Sequence, residues 1–183
     1  MGILRLTSPD STNRLTRACV LALSDAVREL ARDPAPLIIT GNHRFFSAGA
    51  EIEEVAALSG PEACAFARMG QELMRLIDAF PAPVCAAVSG YCMGGGLDLA
   101  LACDLRIAAP HAVFGHRGVA LGLITGWGGT QRLPRLVGKG RALQMFTAAE
   151  KIGAEEAFRI GLVNAIATDL VGEAMRRLGK LTN

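Results

Sequence analysis

Leu15, Ala18, Cys19, Ala22, Ala26, Val27 and Leu30 recur at three- and four-residue intervals, which predicts an amphipathic helix over 12–32 that Pro34 and Pro36 bring to an end. Ala63, Phe66, Ala67, Leu73, Met74 and Ile77 mark the inner side of a second helix. It opens at Pro61, where a missing N–H removes no helical bond. Short, largely apolar runs at 3–6, 37–40, 84–88, 105–108 and 113–115 are of strand length, and strands without polar alternation belong in sheets covered on both faces. Ser8-Pro9-Asp10-Ser11 reads as a turn able to cap the first helix. Three further helices are predicted over 128–136, 141–149 and 154–160, followed by extended chain over 163–167. The order of strands and helices indicates an α/β layered core with no internal sequence repeat.

Glycine placement adds chemistry to this pattern. Gly90-Tyr91-Cys92-Met93-Gly94-Gly95-Gly96-Leu97-Asp98 follows the strand at 84–88 and leads into a helical segment. A strand thereby delivers a backbone without Cβ atoms to a helix N-terminus, whose first amides are unpaired and carry the positive end of the helix dipole. Tight packing of helix on strand would call for the same residues. A second small-residue turn, Phe46-Ser47-Ala48-Gly49-Ala50-Glu51-Ile52, follows the strand at 37–40, so a pair of backbone donors is available. Other glycine-based sites are excluded by spacing: there is no GxGxxG after a strand and no GxxxxGK[ST]. GxSxG is also absent, because Ala87 precedes Val88-Ser89-Gly90.

These two segments together resemble the enoyl-CoA hydratase/isomerase family, the crotonases, whose signatures read FSAGAD and GxxxGGGxE. Ala102-Cys103-Asp104-Leu105-Arg106-Ile107-Ala108, Phe114-Gly115, Leu121-Gly122, Gly128-Gly129-Thr130-Gln131-Arg132-Leu133, Glu155-Glu156-Ala157 and Gly161-Leu162-Val163 extend the likeness in family order from Leu37 to Ile166. The resemblance implies a crotonase-like α/β fold in which ββα turns wind into a superhelix. It implies an acyl-CoA thioester substrate polarised by the amides of Ala50 and Gly95, with Ala48, Gly49, Ile52 and Gly94 beside them. No permanently bound cofactor is implied, coenzyme A arriving as part of the substrate, and the family pattern implies a trimer or hexamer. Relative to that pattern the chain continues only briefly past Gly161-Leu162-Val163. The expectation is therefore a single domain with a core over 1–150 and, over 151–183, the start of a shortened C-terminal region.

Hydration of a double bond needs groups that activate water and deliver a proton, and typical hydratases of the family use two glutamates. Here Asp98 stands in place of the first, one methylene shorter, and Gly118 in place of the second. The two-carboxylate route is thus incomplete. Isomerase, thioester hydrolase or decarboxylase chemistry stays open, as does a non-catalytic acyl-CoA-binding or regulatory role. Asp98, near the start of a helix whose dipole favours its anion, and His116 are the candidates for proton transfer. Arg117 could hold a CoA phosphate or a substrate carboxylate, and Trp127, the single tryptophan, could wall the acyl pocket.

With 183 residues, 51% of them apolar, the chain can bury one substantial core. Its net charge of +2 is spread without basic patches, which speaks against a nucleic-acid partner. Five cysteines without a CxxC pair fit a reducing, cytoplasmic setting. His43, His111 and His116 lack zinc-motif spacing, so no metal is expected, and no apolar span approaches the roughly 20 residues a bilayer requires. Apolar Ala157, Ile160, Leu162, Val163, Ile166, Leu170, Val171, Met175 and Leu178 in the tail require cover from the chain's own core or from a neighbouring copy.

Overall fold

The computed structural model describes residues 1–181. In chain order the elements are β1 (Gly2–Arg5), β2 (Arg14–Leu15), α1 (Arg17–Leu30), β3 (Leu37–Thr40), β4 (Phe45–Ser47), β5 (Gly49–Ala50), α2 (Ile52–Ala56), α3 (Gly60–Asp78), β6 (Val84–Val88), β7 (Tyr91–Met93), α4 (Gly95–Leu101), β8 (Leu105–Ala108), β9 (Val113–Gly115), a 3-10 turn (Gly118–Leu121), α5 (Gly129–Val137), α6 (Lys139–Thr147), β10 (Lys151–Gly153), α7 (Ala154–Arg159), β11 (Ala165–Ile166) and α8 (Leu170–Leu181). A five-stranded sheet in the order β1-β3-β6-β8-β11 is parallel throughout. A four-stranded sheet in the order β10-β9-β7-β4 is parallel except where β10 runs against β9.

The winding follows from those two orders. β3 and β4, β6 and β7, and β8 and β9 are consecutive pairs; the first member joins the large sheet and the second joins the small one. Each ββα turn therefore advances one strand in both sheets at once, the superhelix that the family resemblance implies. The continuous apolar strands are explained by two cores. Leu37, Ile39, Val84, Ala86 and Val88 face the main core with residues of α1 and α3, while Ile38, Cys85, Ala87 and Ile107 face a second core with Ala174 and Leu178 of α8. Alternation of period two is present, but both faces are apolar because both are covered.

Several elements depart from the sequence expectation. The first helix begins at Arg17 and not near residue 12, and its cap is Thr16, whose side chain accepts the amide of Cys19. Residues upstream are held elsewhere: Arg14 and Leu15 pair in parallel with Gly49 and Ala50, and Leu15 is fully buried. The Asp10 carboxylate accepts hydrogen bonds from Ser8 and Thr12 within its own turn and does not cap α1. Strand pairing over a long separation thus overrides the local helical spacing. The extended stretch after Val163 contracts to β11, and α8, β10 and α2 were not anticipated. Ala157, Leu162 and Val163 enter the main core and Ala174 and Leu178 the second, so much of the apolar tail is covered by its own chain, with Phe158 and Met175 remaining exposed. Among the described residues no helix is long and apolar enough to cross a membrane.

Arg106 ties the tail to the core. Only 4% exposed, it donates from Nε to the carbonyl of Leu162 and from Nη1 to that of Cys103, while its amide donates to Asn164 Oδ1. Its neighbours accept with carbonyl oxygens, so the charge is stabilised by dipoles. Arg106→Met should keep the stem packed but leave two buried carbonyls without donors, lowering stability by about 2–4 kcal/mol in a urea titration. An unchanged midpoint would show that water replaces the guanidinium.

Candidate active site

The first wall of the site is built from the N-terminal segment upward. Asn13, in a left-handed conformation with φ 53°, donates through Nδ2 to the carbonyls of Phe45 and Phe46. Ser47 Oγ donates to the Asn13 carbonyl and accepts the amide of Gly49, and the Ala48 amide donates to Thr12. The Ala48–Ala50 turn is thereby fixed against β2. The second wall is the turn from β7 into α4, where Gly94, with φ 50° and ψ −119°, occupies a conformation closed to residues with a Cβ.

The two walls meet closely. A Cβ on Gly49 would lie 2.7 Å from the Met93 carbonyl oxygen, and one on Gly96 would lie 2.6 Å from Ser47 Cβ. Because both are glycine, the backbones at Ala50 and Gly95 come side by side on the wall of one cavity of about 450 Å³. As the first residue of α4, Gly95 has an amide with no acceptor inside the helix. Trp127, 3% exposed, packs its ring against Gly95 and donates Nε1 to the Phe66 carbonyl at 3.3 Å. Val55, Leu58 and Phe66 from α2, α3 and the intervening loop complete an apolar lining with Leu121, Leu123 and Ile124.

Ala48, Gly49, Ala50, Ile52, Gly94, Gly95, His116, Arg117, Gly118 and Trp127, all singled out from sequence, line this cavity. Asp98 does not: it lies behind the wall with no exposed side-chain surface. Thr125 lines the cavity and donates its hydroxyl hydrogen to Asp98 Oδ2, and His116 Nε2 lies 3.5 Å from Asp98 Oδ1. Neither Oδ1 nor Nε2 has a hydrogen-bond partner. Gly129 makes this convergence possible, since a side chain there would overlap Oδ1 and stand 3.0 Å from His116 Cε1. Thr125 and Gly129 were missed as site residues because nothing local marks a threonine in a loop; the glycine was seen only as part of a family motif.

Burial sets the protonation of the cluster. It pushes the Asp98 carboxyl up to about 7, against the opposing pull of the Thr125 hydroxyl, Arg132 and the amides of Gly129 and Trp127. The expectation that the helix dipole keeps Asp98 anionic is therefore corrected: α4 is only seven residues long, and desolvation outweighs it. Burial also pushes the His116 imidazole down to about 4, so at neutral pH it is an uncharged ring beside a carboxyl that exchanges readily between acid and anion.

Gly118 departs from its expected place in another way. A Cβ there would lie 2.8 Å from the Leu123 carbonyl oxygen, and the Leu123 amide donates to the Gly118 carbonyl. The loop has closed over the position, so a glutamate introduced at 118 would have to displace backbone. Arg117 is exposed at the cavity rim. His43 and His111 sit apart, their rings 4.5 Å between centroids and His111 Nε2 3.1 Å from Ser89 Oγ. Among the described residues no cluster of three or more His, Cys, Asp or Glu is arranged to hold a metal ion.

The family model described as enoyl-CoA hydratase/isomerase matches residues 1–183. The chain is 46% identical over 186 residues to the crotonyl-CoA hydratase of Syntrophomonas wolfei, a match covering 99% of this chain and 72% of that protein. It is 36% identical over 188 residues to the short-chain-enoyl-CoA hydratase of Clostridium acetobutylicum, covering 100% of this chain and 72% of that one. Among solved structures, the enoyl-CoA hydratase from Bacillus anthracis superposes with a TM-score of 0.92 at 34% identity, over 98% of this chain and 72% of that chain.

The buried carboxyl gives a stability test with a defined sign. A folded-state pKa raised from 3.8 to about 7 contributes stability that is fully present below the unfolded value and is lost as pH rises through about 7. Asp98→Asn keeps an acceptor for Thr125 without the ionisation. It should raise Tm by at least about 2–4 °C at pH 8, the gain shrinking as pH falls below 7 and disappearing by about pH 4. A variant destabilised equally at both pH values would show that the carboxylate is held favourably.

Proposed function

The chain belongs to the enoyl-CoA hydratase/isomerase family, and on that premise we propose that it binds an acyl-CoA thioester with the carbonyl oxygen between the amides of Ala50 and Gly95 and stabilises the enolate formed there. The observation that carries this reading is the meeting of two small-residue turns on one wall of an apolar cavity. As the Cα proton leaves, or as the β-carbon is attacked, charge moves onto the thioester oxygen. Preset amides on an apolar cavity wall then stabilise that charge, each worth on the order of 3 kcal/mol.

The remaining residues fit this use. An apolar lining of Val55, Leu58, Phe66, Leu121 and Ile124 suits a hydrocarbon chain, and Arg117 at the rim offers a cation to the phosphates of coenzyme A. No permanently held cofactor enters the reading. Asp98 and His116 handle protons in place of paired glutamates. With Gly118 closed off by the Leu123 carbonyl there is one carboxyl only, which favours reactions that lift and return a proton, such as enoyl isomerisation, over hydration by two carboxylates. A homo-oligomer, trimer or hexamer, is part of the same proposal, and exposed Leu121, Ile124 and Leu143 offer apolar surface for it.

Two measurements test the proposal. Turnover across 2-enoyl and 3-enoyl CoA thioesters should be detectable, with hydration slower by about 10² or more than in a two-glutamate relative. Gly95→Pro, which removes one donor, should weaken binding of a 3-ketoacyl-CoA, an enolisable mimic, by at least about 10-fold while circular dichroism shows a folded protein. Undiminished affinity would put the thioester elsewhere. Light scattering across a concentration series should show a multiple of 19.2 kDa, and a persistent monomer would remove the oligomer from the reading.

A further inference from the structure

Asp98 is the one carboxyl of the site, yet none of its surface reaches the cavity. Any proton it gives or takes must cross the wall through another group. The polar side chains on that wall are His116, Arg117, Thr125 and Trp127. Trp127 Nε1 is committed to the Phe66 carbonyl, and Arg117 is at the rim. His116 Nε2 stands 3.5 Å from Oδ1 without forming a hydrogen bond. Thr125 alone both borders the cavity and bonds Asp98 directly, its hydroxyl donating to Oδ2. The Trp127 amide donates to Thr125 Oγ1 at 3.5 Å, and the absence of a Cβ at Gly129 leaves room for the Thr125 methyl, which such an atom would approach to 2.9 Å.

We propose that Thr125 is a catalytic residue, its hydroxyl relaying the proton between bound thioester and buried Asp98. This rests on the thioester reading above. In the relay the Cα–H bond breaks and its electron pair becomes the enolate, with charge on the oxygen held by Ala50 and Gly95. The released proton bonds to Thr125 Oγ1 as the hydroxyl's own proton passes to Asp98 Oδ2. Reversal returns a proton to Cα, or to Cγ of a 3-enoyl substrate when the double bond moves, and Asp98 ends as it began. A threonine serving only to satisfy a buried carboxyl has no need to be on the cavity wall; a relay does.

The test is exchange of the α-hydrogens of a saturated acyl-CoA with deuterated water, followed by mass spectrometry, beside the dissociation constant of a 3-ketoacyl-CoA. Thr125→Val keeps the shape and removes the hydroxyl. It should lower exchange by about 10² or more with binding within about threefold of the parent. Thr125→Ser should restore most of the rate, and Asp98→Asn combined with Thr125→Val should be no slower than the worse single variant, as expected of groups acting as one unit. Exchange undiminished in Thr125→Val overturns the relay and, if Asp98→Asn alone is slow, assigns the path to His116. Equal loss in the Val and Ser variants also overturns it, leaving a packing role. A parent that binds thioester but exchanges nothing sinks the relay and keeps the binding reading; a parent that does not bind sinks the functional reading itself.

Discussion

Everything in this site depends on two backbone turns approaching more closely than side chains allow. Gly49 against the Met93 carbonyl and Gly96 against Ser47 leave no room for a methyl group, and it is this contact that sets Ala50 beside Gly95. The approach is held from a distance: Asn13 fixes the carbonyls before the first turn, Ser47 locks its middle, and β2 pairs with its end. On the far side the buried Trp127 ring packs against the α4 N-terminus at Gly95. Packing and pre-organisation of the donors are one structural fact, since a looser contact would move both amides.

Burial then decides the chemistry available behind that wall. A carboxyl that desolvation pushes up to about 7 and an imidazole pushed down to about 4 are both biased toward their neutral forms, so the cluster resists becoming an ion pair. Such a pair carries little charge into an apolar cavity, yet leaves one proton easily moved near neutral pH. The cost of the arrangement appears as two polar atoms, Asp98 Oδ1 and His116 Nε2, without partners. Groups left this way inside a folded protein mark function more often than stability.

The sequence by itself determined the α/β class, most of the helices and strands of the core, and the two glycine turns, because these are written in local spacing and in residues whose backbone freedom is visible letter by letter. It also determined that Asp98 and Gly118 break the expected pair of carboxylates. What it could not determine were consequences of long-range contact. Residues 14–15 became a strand despite helical spacing, because they pair with Gly49 and Ala50 far along the chain, with Leu15 fully buried there. Asp98 lost the charge its helix position suggested, because desolvation is a property of everything packed around a residue and not of its neighbours in sequence. Thr125 joined the site from the loop before α5 and Gly129 from the first residue of that helix, some thirty residues downstream, and Gly118 was sealed by the Leu123 carbonyl. Only the tertiary structure brings these atoms within reach, since the distances that govern proton transfer are set by how ββα turns stack and not by any period along the chain.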